Sequence, residues 1–433
     1  MSAEEPHRAA ADRAPNERAI EAIWRIESPK VIAKLARMLR DVGVAQEIAQ
    51  DAWLAALEQW PASGIPDNPG AWLMTTAKNR AIDELRRLRM RDAKHGAIAH
   101  DPDLIGCAAA PAEEPDAIDD DLLRLIFVAC HPVLGTEARA ALTLRLLGGL
   151  TTGEIARAFL VSEAAIQQRI VRAKRTLAQA RVPFEVPGAA QRAERLASVL
   201  EVIYLIFNEG YAATTGDEWT RPALCEEALR LGRTLAALVP EEAEVHGLLA
   251  LMELQASRLP ARVSPSGEPI LLLEQNRLHW DQLLIRRGLT ALERAEAVAG
   301  VLGPYALQAS IAACHARAVS AEATDWPRIV ALYDALHEVA PSPIVALNRA
   351  VAVSMAYGPG PALELIDALC AGGRLSTYHL LSSVRGDLLE KLGRLEEARA
   401  EYSHAAALAS NARERELLRR RAEALTAPER PIH

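Results

Sequence analysis

The sequence predicts an all-α protein made of several helical domains. Half of its 433 residues are apolar, 24% are charged and only 4% are aromatic. Alanine, leucine, arginine and glutamate dominate and favour helix, whereas alternating runs rich in Val, Ile and Thr are hardly seen. A chain of this length can bury several cores, so two or three domains are expected.

The positive charge of the chain is concentrated in two segments. The whole chain carries a formal net charge of −8, which argues against a protein that coats nucleic acid indiscriminately. One basic segment spans residues 78–94 and the other spans residues 169–181. Contact with DNA is therefore expected to use two separate modules.

The cysteines and the apolar segments predict a cytoplasmic protein without membrane contact. The five cysteines lie far apart and form no CxxC pair, as expected for buried thiols in a reducing compartment. The N-terminus lacks an apolar signal core, and the apolar run over residues 196–207 is interrupted by Glu201. Cys130 and His131 have no second ligand pair nearby, so neither a metal nor a cofactor is expected.

The first predicted element is a helical hairpin over residues 20–60, after a segment, residues 1–17, that is predicted to be disordered. The inner surface of its second helix is formed in part by Ile48, Ala52, Leu54 and Leu57. The polar face of the same helix is acidic and carries Glu47, Gln50, Asp51 and Glu58.

A strong helix is predicted next, over residues 71–90. Its inward positions are Leu73, Ala77, Ala81, Leu85 and Leu88. Its other face carries Trp72, Thr76, Asn79, Asp83 and Arg86, with Arg80 and Arg87 at the edge. An aromatic ring, an amide and arginines along one line suit single-stranded nucleic acid, because bases stack on the ring while cations follow the backbone. The alternative is that Trp72 belongs to the core.

A linker rich in alanine, proline and acidic residues is predicted over residues 96–120, and its acidic run continues to Asp121. Such a run is either a solvated spacer or a segment that lies in a basic channel of a partner. Helices are expected to resume at residues 122–129 and 136–147.

Residues 151–175 predict two short helices joined by a tight turn, a helix-turn-helix. Thr151 and Glu154 have the spacing of a capping box, and Ser162 can cap the second helix. The second helix has one apolar stripe, formed by Ile166, Ile170, Ala173 and Leu177. Its opposite face has no acidic residue and carries Gln168, Arg172 and Arg175, flanked by Gln167, Arg169 and Lys174. Such a face fits the major groove, where Arg bonds guanine and Gln bonds adenine.

These motifs, in this order, resemble those of a bacterial RNA polymerase sigma factor of the extracytoplasmic-function (ECF) group of the sigma-70 family. The resemblance covers residues 18–182 and rests on AQEIAQDAWLAAL, NPGAWLMTTAKNRAIDELRR and the block from LTLRLLGG to RAKRTL. It implies a region 2 domain over residues 18–95 and a region 4 domain over residues 121–182.

The resemblance also implies roles for individual residues. Glu47, Gln50, Asp51 and Trp53 would dock on the clamp helices of the polymerase β′ subunit, and region 4 would lie near the β flap. The helix that bears Trp72, Thr76, Asn79, Arg80, Asp83, Arg86 and Arg87 would open the −10 element, with Asn79 beside an unpaired base. The region 4 helix would read the −35 element, and the acidic linker would thread the polymerase channel.

Residues 183–433 are predicted to form helical hairpin repeats similar to tetratricopeptide repeats. The clearest unit places Gly386, Leu389, Gly393, Ala398, Tyr402 and Ala405 at the small and aromatic positions of such a repeat. Earlier units place Ala350, Ala362 and Ile366, and before them Ala312, Ile329, Tyr333 and Pro341, at corresponding positions. A short β-hairpin is expected at Ser266 and Gly267.

This extension resembles that of a sigma-factor subgroup in which the C-terminal domain regulates or enables activity. A small YCII-like protein, or a peptide, is a candidate partner by the same resemblance. No catalytic motif stands in these repeats, so no enzymatic activity is expected. The alternative function is a helix-turn-helix regulator with a repeat-type sensor domain that does not replace a sigma subunit.

Overall fold

The computed structural model describes residues 5–94, 115–212, 220–264, 268–373 and 375–425. Within these ranges the chain is helical, and its only extended pairing is an isolated bridge between Val263 and Pro269. The all-α prediction is therefore confirmed. The chain folds as two compact units, residues 1–203 and 204–433.

The first unit contains α1 (Glu5–Leu39), α2 (Val42–Ser63), α3 (Pro69–Lys94), α4 (Pro115–Ala129), α5 (Thr136–Leu146), α6 (Thr152–Phe159) and α7 (Glu163–Gln179). Helix α8 (Ala189–Tyr211) passes from this unit into the second. The second unit continues with α9 (Pro222–Leu238), α10 (Ala243–Ala256), α11 (Gln282–Val298), α12 (Pro304–Arg317), α13 (Trp326–Val339), α14 (Pro343–Tyr357), α15 (Pro359–Ala371), α16 (His379–Lys391), α17 (Leu395–Leu408) and α18 (Ala412–Ala424).

Two tryptophan pairs hold the first three helices together. Trp24 of α1 stacks on Trp53 of α2 with ring centroids 5.2 Å apart. Trp60 of α2, which is fully buried, meets Trp72 of α3 edge to face at 5.3 Å. Such aromatic pairs contribute about 0.5–1.5 kcal/mol each beyond the area that they bury. The predicted hairpin and the helix that follows it are thus joined by aromatic contacts that the spacing alone did not specify.

The N-terminal helix and the acidic linker differ from the sequence predictions. Helix α1 begins at Glu5, whereas helix was expected only from residue 18, because the intervening residues are rich in good helix formers. Helix α4 begins at Pro115, so the linker does not extend to residue 120. A proline at the first position and acidic residues in the first turn favour a helix start there. Residues 95–114 lie outside the described ranges.

Three predictions about burial are wrong. Leu54, expected on the inner surface of α2, is 52% exposed. Asp121, expected in a solvated acidic run, is buried and accepts a hydrogen bond from Arg124 at 2.7 Å. Cys370 is exposed, whereas Cys130, Cys225 and Cys314 are buried as expected.

The first unit ends later than the boundary expected near residue 183, because the start of α8 packs on α4 and α5. Ser198 donates to the carbonyl oxygen of Cys130 at 2.6 Å, and Arg195 donates to that of Phe127 at 2.8 Å. Arg139 of α5 forms an ion pair with Glu201 at 3.0 Å. These buried polar contacts attach the first half of α8 to the helices before it.

The second unit is an array in which each helix from α12 to α18 packs against the next one. The contact between α16 and α17 depends on Gly386, because a Cβ at this position would lie 2.9 Å from the ring of Tyr402. Tyr402 is fully buried, and its hydroxyl donates to Glu390 at 2.7 Å. This pairing of a small and an aromatic residue agrees with the helical hairpin repeat expected there. The assignment of the second unit to tetratricopeptide repeats stays a prediction.

The expected β-hairpin at Ser266 and Gly267 lies outside the described ranges at its turn, but its flanks are paired. The amide of Ser264 donates to the carbonyl of Glu268 at 2.9 Å, and Ile270 donates to Arg262 at 2.8 Å.

Candidate nucleic-acid interface

The helix-turn-helix is built by α6 and α7, and both helices begin as the sequence predicts. The amide of Glu154 donates to Thr151 Oγ1 at 3.1 Å, and the Glu154 carboxylate accepts from the Thr151 amide at 2.8 Å. Ser162 Oγ accepts from the amide of Ala165 at 3.2 Å. The turn passes through Leu160 in the left-handed region, at φ 51°. These caps set the direction of α7 relative to α6.

Burial alone would raise the pKa of Glu154, but its hydrogen bonds from Thr151 and the positive charges of Arg25 and Arg157 outweigh burial and hold the pKa below its usual value. Glu154 is therefore ionised at neutral pH. It serves as an acceptor in the capping box and as the ion-pair partner of Arg25 in α1.

Helix α7 has one buried stripe and one polar face. The four stripe residues are all buried as predicted: Ile166, Ile170, Ala173 and Leu177. On the polar face, four of the six predicted DNA-contacting residues are exposed: Gln167, Gln168, Arg172 and Arg175. Amides and guanidinium groups on one exposed helix face can bond base edges in a major groove.

The other two residues of that set are only partly exposed. Arg169 is half-buried and forms an ion pair with Glu137 of α5 at 2.6 Å. The polar face of α7 has no acidic residue of its own, but Glu137 of another helix lies next to it. Lys174 is also half-buried. Burial lowers its pKa, while Glu47 and Asp41 of the first helical hairpin act in the opposite direction.

Helix α3 presents the second predicted interface. Its exposed members are Asn79, Asp83, Arg86 and Arg87, whereas Trp72, Thr76 and Arg80 are half-buried. Trp72 packs its ring against Trp60, so the alternative that it belongs to the core is correct for one side of the ring. Exposed ion pairs such as Arg86 with Asp83, at 3.4 Å, are weak and can exchange for phosphate.

The acidic face of α2 adjoins this interface. Glu47 and Asp51 are exposed, and Gln50 is half-buried. Asp51 lies 3.7 Å from Arg80 of α3, so the face predicted to bind polymerase contacts the face predicted to bind DNA. Trp53 is half-buried because its ring stacks on Trp24, which leaves only part of its side chain for a partner.

A third feature, which the sequence does not indicate, is the surface between the region 2 helices (α1–α3) and the region 4 helices (α4–α7). A Cβ on Gly149, where φ is +66°, would lie 3.2 Å from the Cα of Arg25 and 3.2 Å from the Oγ of Ser28. Arg37 of α1 lies 3.4 Å from Asp121 of α4, and a cavity of about 650 Å³ is lined by Arg40, Lys174 and their neighbours. We refer to this surface as the region 2–region 4 contact.

Cys130 and His131 have ordinary structural surroundings. Cys130 is buried and lies 3.4 Å from the hydroxyl of Thr143, and burial raises the pKa of its thiol to about 11. His131 accepts a hydrogen bond from the Val133 amide at 3.1 Å, and burial lowers its pKa to about 4.

A capped helix-turn-helix with an exposed amide and arginine face defines a DNA-binding transcription protein. Models of sigma-70 region 2 and sigma-70 region 4 match residues 23–91 and 124–177, and a model of a family of unknown function matches residues 195–296. The chain belongs to the extracytoplasmic-function group of the sigma-70 family and carries a helical C-terminal extension.

Several known proteins are similar to this chain. An uncharacterised protein of Rhizobium meliloti is 44% identical over 404 residues, which cover 92% of this chain and 94% of that protein. The probable ECF RNA polymerase sigma factor SigI of Mycobacterium tuberculosis is 27% identical over 40% of this chain and 59% of its own length. The ECF RNA polymerase sigma factor SigK of Mycobacterium ulcerans is 30% identical over 34% of this chain and 78% of its own length.

No solved structure matches the chain. Among the residues that the structure describes, no helix is long and apolar enough to cross a membrane.

Proposed function

We propose that this chain binds core RNA polymerase, directs it to promoters with −35 and −10 elements and helps to melt the duplex, under the control of its own C-terminal extension. The observation that carries the proposal is that one chain presents two exposed polar faces of different chemistry. One, on α7, has amides and arginines suited to base edges in duplex DNA. The other, on α3, has an amide and arginines beside a half-exposed tryptophan, which suit an unpaired strand.

The acidic face of α2 supports a polymerase-docking role for Glu47, Gln50, Asp51 and Trp53. Two of these residues are exposed carboxylates, and Trp53 adds a half-exposed aromatic surface beside them. Aromatic residues ringed by charge are typical of protein interfaces. Two relatives of this chain are named as RNA polymerase sigma factors, which supports an interaction of this chain with polymerase.

The experiment that tests the proposal is run-off transcription with purified core RNA polymerase on a promoter library, with and without this protein. New start sites that appear only with the protein are expected, and they would supply the promoter sequence. Retained duplex binding without initiation would support the alternative, a helix-turn-helix regulator that does not replace a sigma subunit.

Replacing Asn79 with alanine is expected to slow promoter opening without weakening −35 binding. Asn79 is exposed on α3, away from the helix-turn-helix, so its amide can bond an unpaired base while α7 still reads duplex DNA. Loss of stacking or bonding to one base is worth about 1–3 kcal/mol, which corresponds to roughly 5-fold to 150-fold in the opening equilibrium.

Potassium permanganate footprinting of the melted bubble measures this effect. The matched control is Thr75→Ala, because Thr75 is an exposed neighbour on the same helix and is not among the predicted contacts. An unchanged footprint for Asn79→Ala would contradict the role of α3 in melting.

Removing the C-terminal extension after residue 203, where the first unit ends, is expected to change the level of transcription from the same promoters. The cut must keep the first half of α8, because Arg195 and Ser198 hold the carbonyl groups of Phe127 and Cys130. A cut near residue 184 would expose this part of the first unit and confuse regulation with misfolding. Equal run-off yields from the full chain and from residues 1–203, with a helical circular dichroism spectrum for the fragment, would contradict control by the extension.

A further inference from the structure

Three arginines and two aromatic rings gather at one place in the second unit. The guanidinium carbon of Arg262 lies 3.8 Å from the ring centroid of Tyr211, and that of Arg258 lies 5.7 Å from it. Arg258 and Arg277 lie 5.9 Å and 5.1 Å from the ring of Trp280. We refer to these five residues as the arginine–aromatic cluster.

The three arginines are not equivalent. Arg277 is fully engaged in the fold, since it donates to the carbonyl oxygens of His315 and Ala318 at 2.8 and 2.7 Å and to Thr324 Oγ1 at 2.9 Å. Arg262 has its guanidinium on the face of Tyr211, and burial lowers its pKa. Arg258 differs, because the residue is half-buried, its Nε has no hydrogen-bond partner, and its guanidinium forms no ion pair with a carboxylate of the described residues.

Positive charges next to Arg258 make its lack of a carboxylate partner less favourable. Burial and the nearby charges of Arg258 and Arg277 lower the pKa of His315 to about 3. This imidazole is therefore neutral and cannot form an ion pair with an anion. Arg258 likewise disfavours the protonated state of Arg262 and Arg277. Arg258 is half-buried, so its positive charge is only partly shielded from water and can attract an anion.

Further polar groups around the cluster are buried and unsatisfied. Trp280 Nε1 and His315 Nδ1 have no hydrogen-bond partner among the described residues, and these two residues are 3% and 8% exposed. A buried polar atom without a partner is unfavourable, because it has lost its hydrogen bonds to water. These atoms lie beside an arginine that forms no ion pair, whereas buried polar groups in a packed core are normally paired.

We propose that the arginine–aromatic cluster is a binding site for the carboxylate or phosphate group of a small organic anion, with Arg258 as the residue that pairs with it. The planar guanidinium of Arg258 can hold either group through two parallel hydrogen bonds. The buried rings of Tyr211 and Trp280 keep the arginines in place. The unpaired indole N–H of Trp280 and the imidazole of His315 are the nearest further polar groups.

Thermal unfolding of the full-length protein tests this site, with potassium phosphate and potassium acetate as probes and potassium chloride of equal ionic strength as the reference. Phosphate, acetate or both are expected to raise the unfolding midpoint above that in chloride by on the order of 5 °C. Because phosphate also stabilises folded proteins without binding, the anion whose shift falls most in the Arg258→Gln variant is the one that the site prefers.

The Arg258→Gln variant is expected to lose this shift, whereas Arg286→Gln, which removes an exposed arginine of α11, is expected to retain it. In chloride, Arg258→Gln is expected to unfold at or above the midpoint of the unmodified protein, because it removes an uncompensated charge. If Arg258→Gln does not fold, Arg258→Lys serves in its place, with a reduced shift expected because an ammonium group cannot bind an oxyanion through two parallel bonds.

An anion shift of equal size in the Arg258 variant and in the unmodified protein would overturn the proposal. The absence of any shift in the unmodified protein with both anions would also overturn it.

Discussion

A disulfide across the region 2–region 4 contact is expected to abolish promoter-specific transcription. The pair to introduce is Ser28→Cys with Gly149→Cys, because a Cβ on Gly149 would lie 3.2 Å from the Oγ of Ser28, within the reach of a disulfide. The −10 and −35 elements are on the order of 20 base pairs apart, which is about 70 Å of B-form duplex. Regions 2 and 4 therefore have to separate before one chain can contact both elements.

The contact also brings one residue of the α7 set close to the acidic face of α2. Lys174 of the α7 set is half-buried near Asp41 and Glu47, and Glu47 belongs to the set predicted to bind polymerase. We expect that a chain in which the disulfide holds regions 2 and 4 together can use neither the α7 set nor the polymerase-binding set in full. Run-off transcription by the oxidised double variant should fall to the level of core polymerase alone and recover when the disulfide is reduced.

Both single-cysteine variants, oxidised in the same way, are the controls. They report any loss that comes from the strain of a side chain at Gly149, where φ is +66°, a conformation that costs a non-glycine residue about 1–2 kcal/mol. Full transcription by a double variant whose disulfide is verified on a non-reducing gel would show that regions 2 and 4 do not need to separate.

Replacing Arg172 with alanine is expected to weaken −35 recognition by about 1–3 kcal/mol, or roughly 5-fold to 150-fold in affinity. Arg172 is exposed at the centre of the α7 face, between Gln168 and Arg175, and its guanidinium can bond the two acceptors of a guanine. The measurement is binding of the reconstituted holoenzyme to a promoter found by run-off transcription, compared with the same promoter with a scrambled −35 element.

The control for Arg172→Ala is Arg419→Ala, which removes an equal charge from an exposed position on α18. Loss of preference for the intact −35 element, with little change on the scrambled DNA, is the expected signature of a base contact. Equal weakening on both DNAs, with a smaller dependence on salt, would instead make Arg172 a phosphate contact.

Local features of the chain were predicted well from its residues. The capping box at Thr151, the cap at Ser162 and the stripe from Ile166 to Leu177 all appear as expected. Caps depend on residues three positions apart, and a buried stripe depends on the helical period, so neither requires knowledge of distant contacts. The order of the region 2 and region 4 modules is likewise a property of the linear sequence.

Burial and partnership were decided by contacts between residues far apart in the chain. Trp53 and Trp72 are half-buried because Trp24 and Trp60 meet them, and Lys174 is half-buried near residues of the first helical hairpin. Asp121 belongs to a run of acidic residues that was expected to be solvated, but it is buried where α4 packs on α1. The period of a helix shows which residues share a face, but only the packed structure shows which neighbour covers that face. For the same reason the contact at Gly149 and the arginine–aromatic cluster, whose members are separated by long stretches of chain, became visible only in three dimensions.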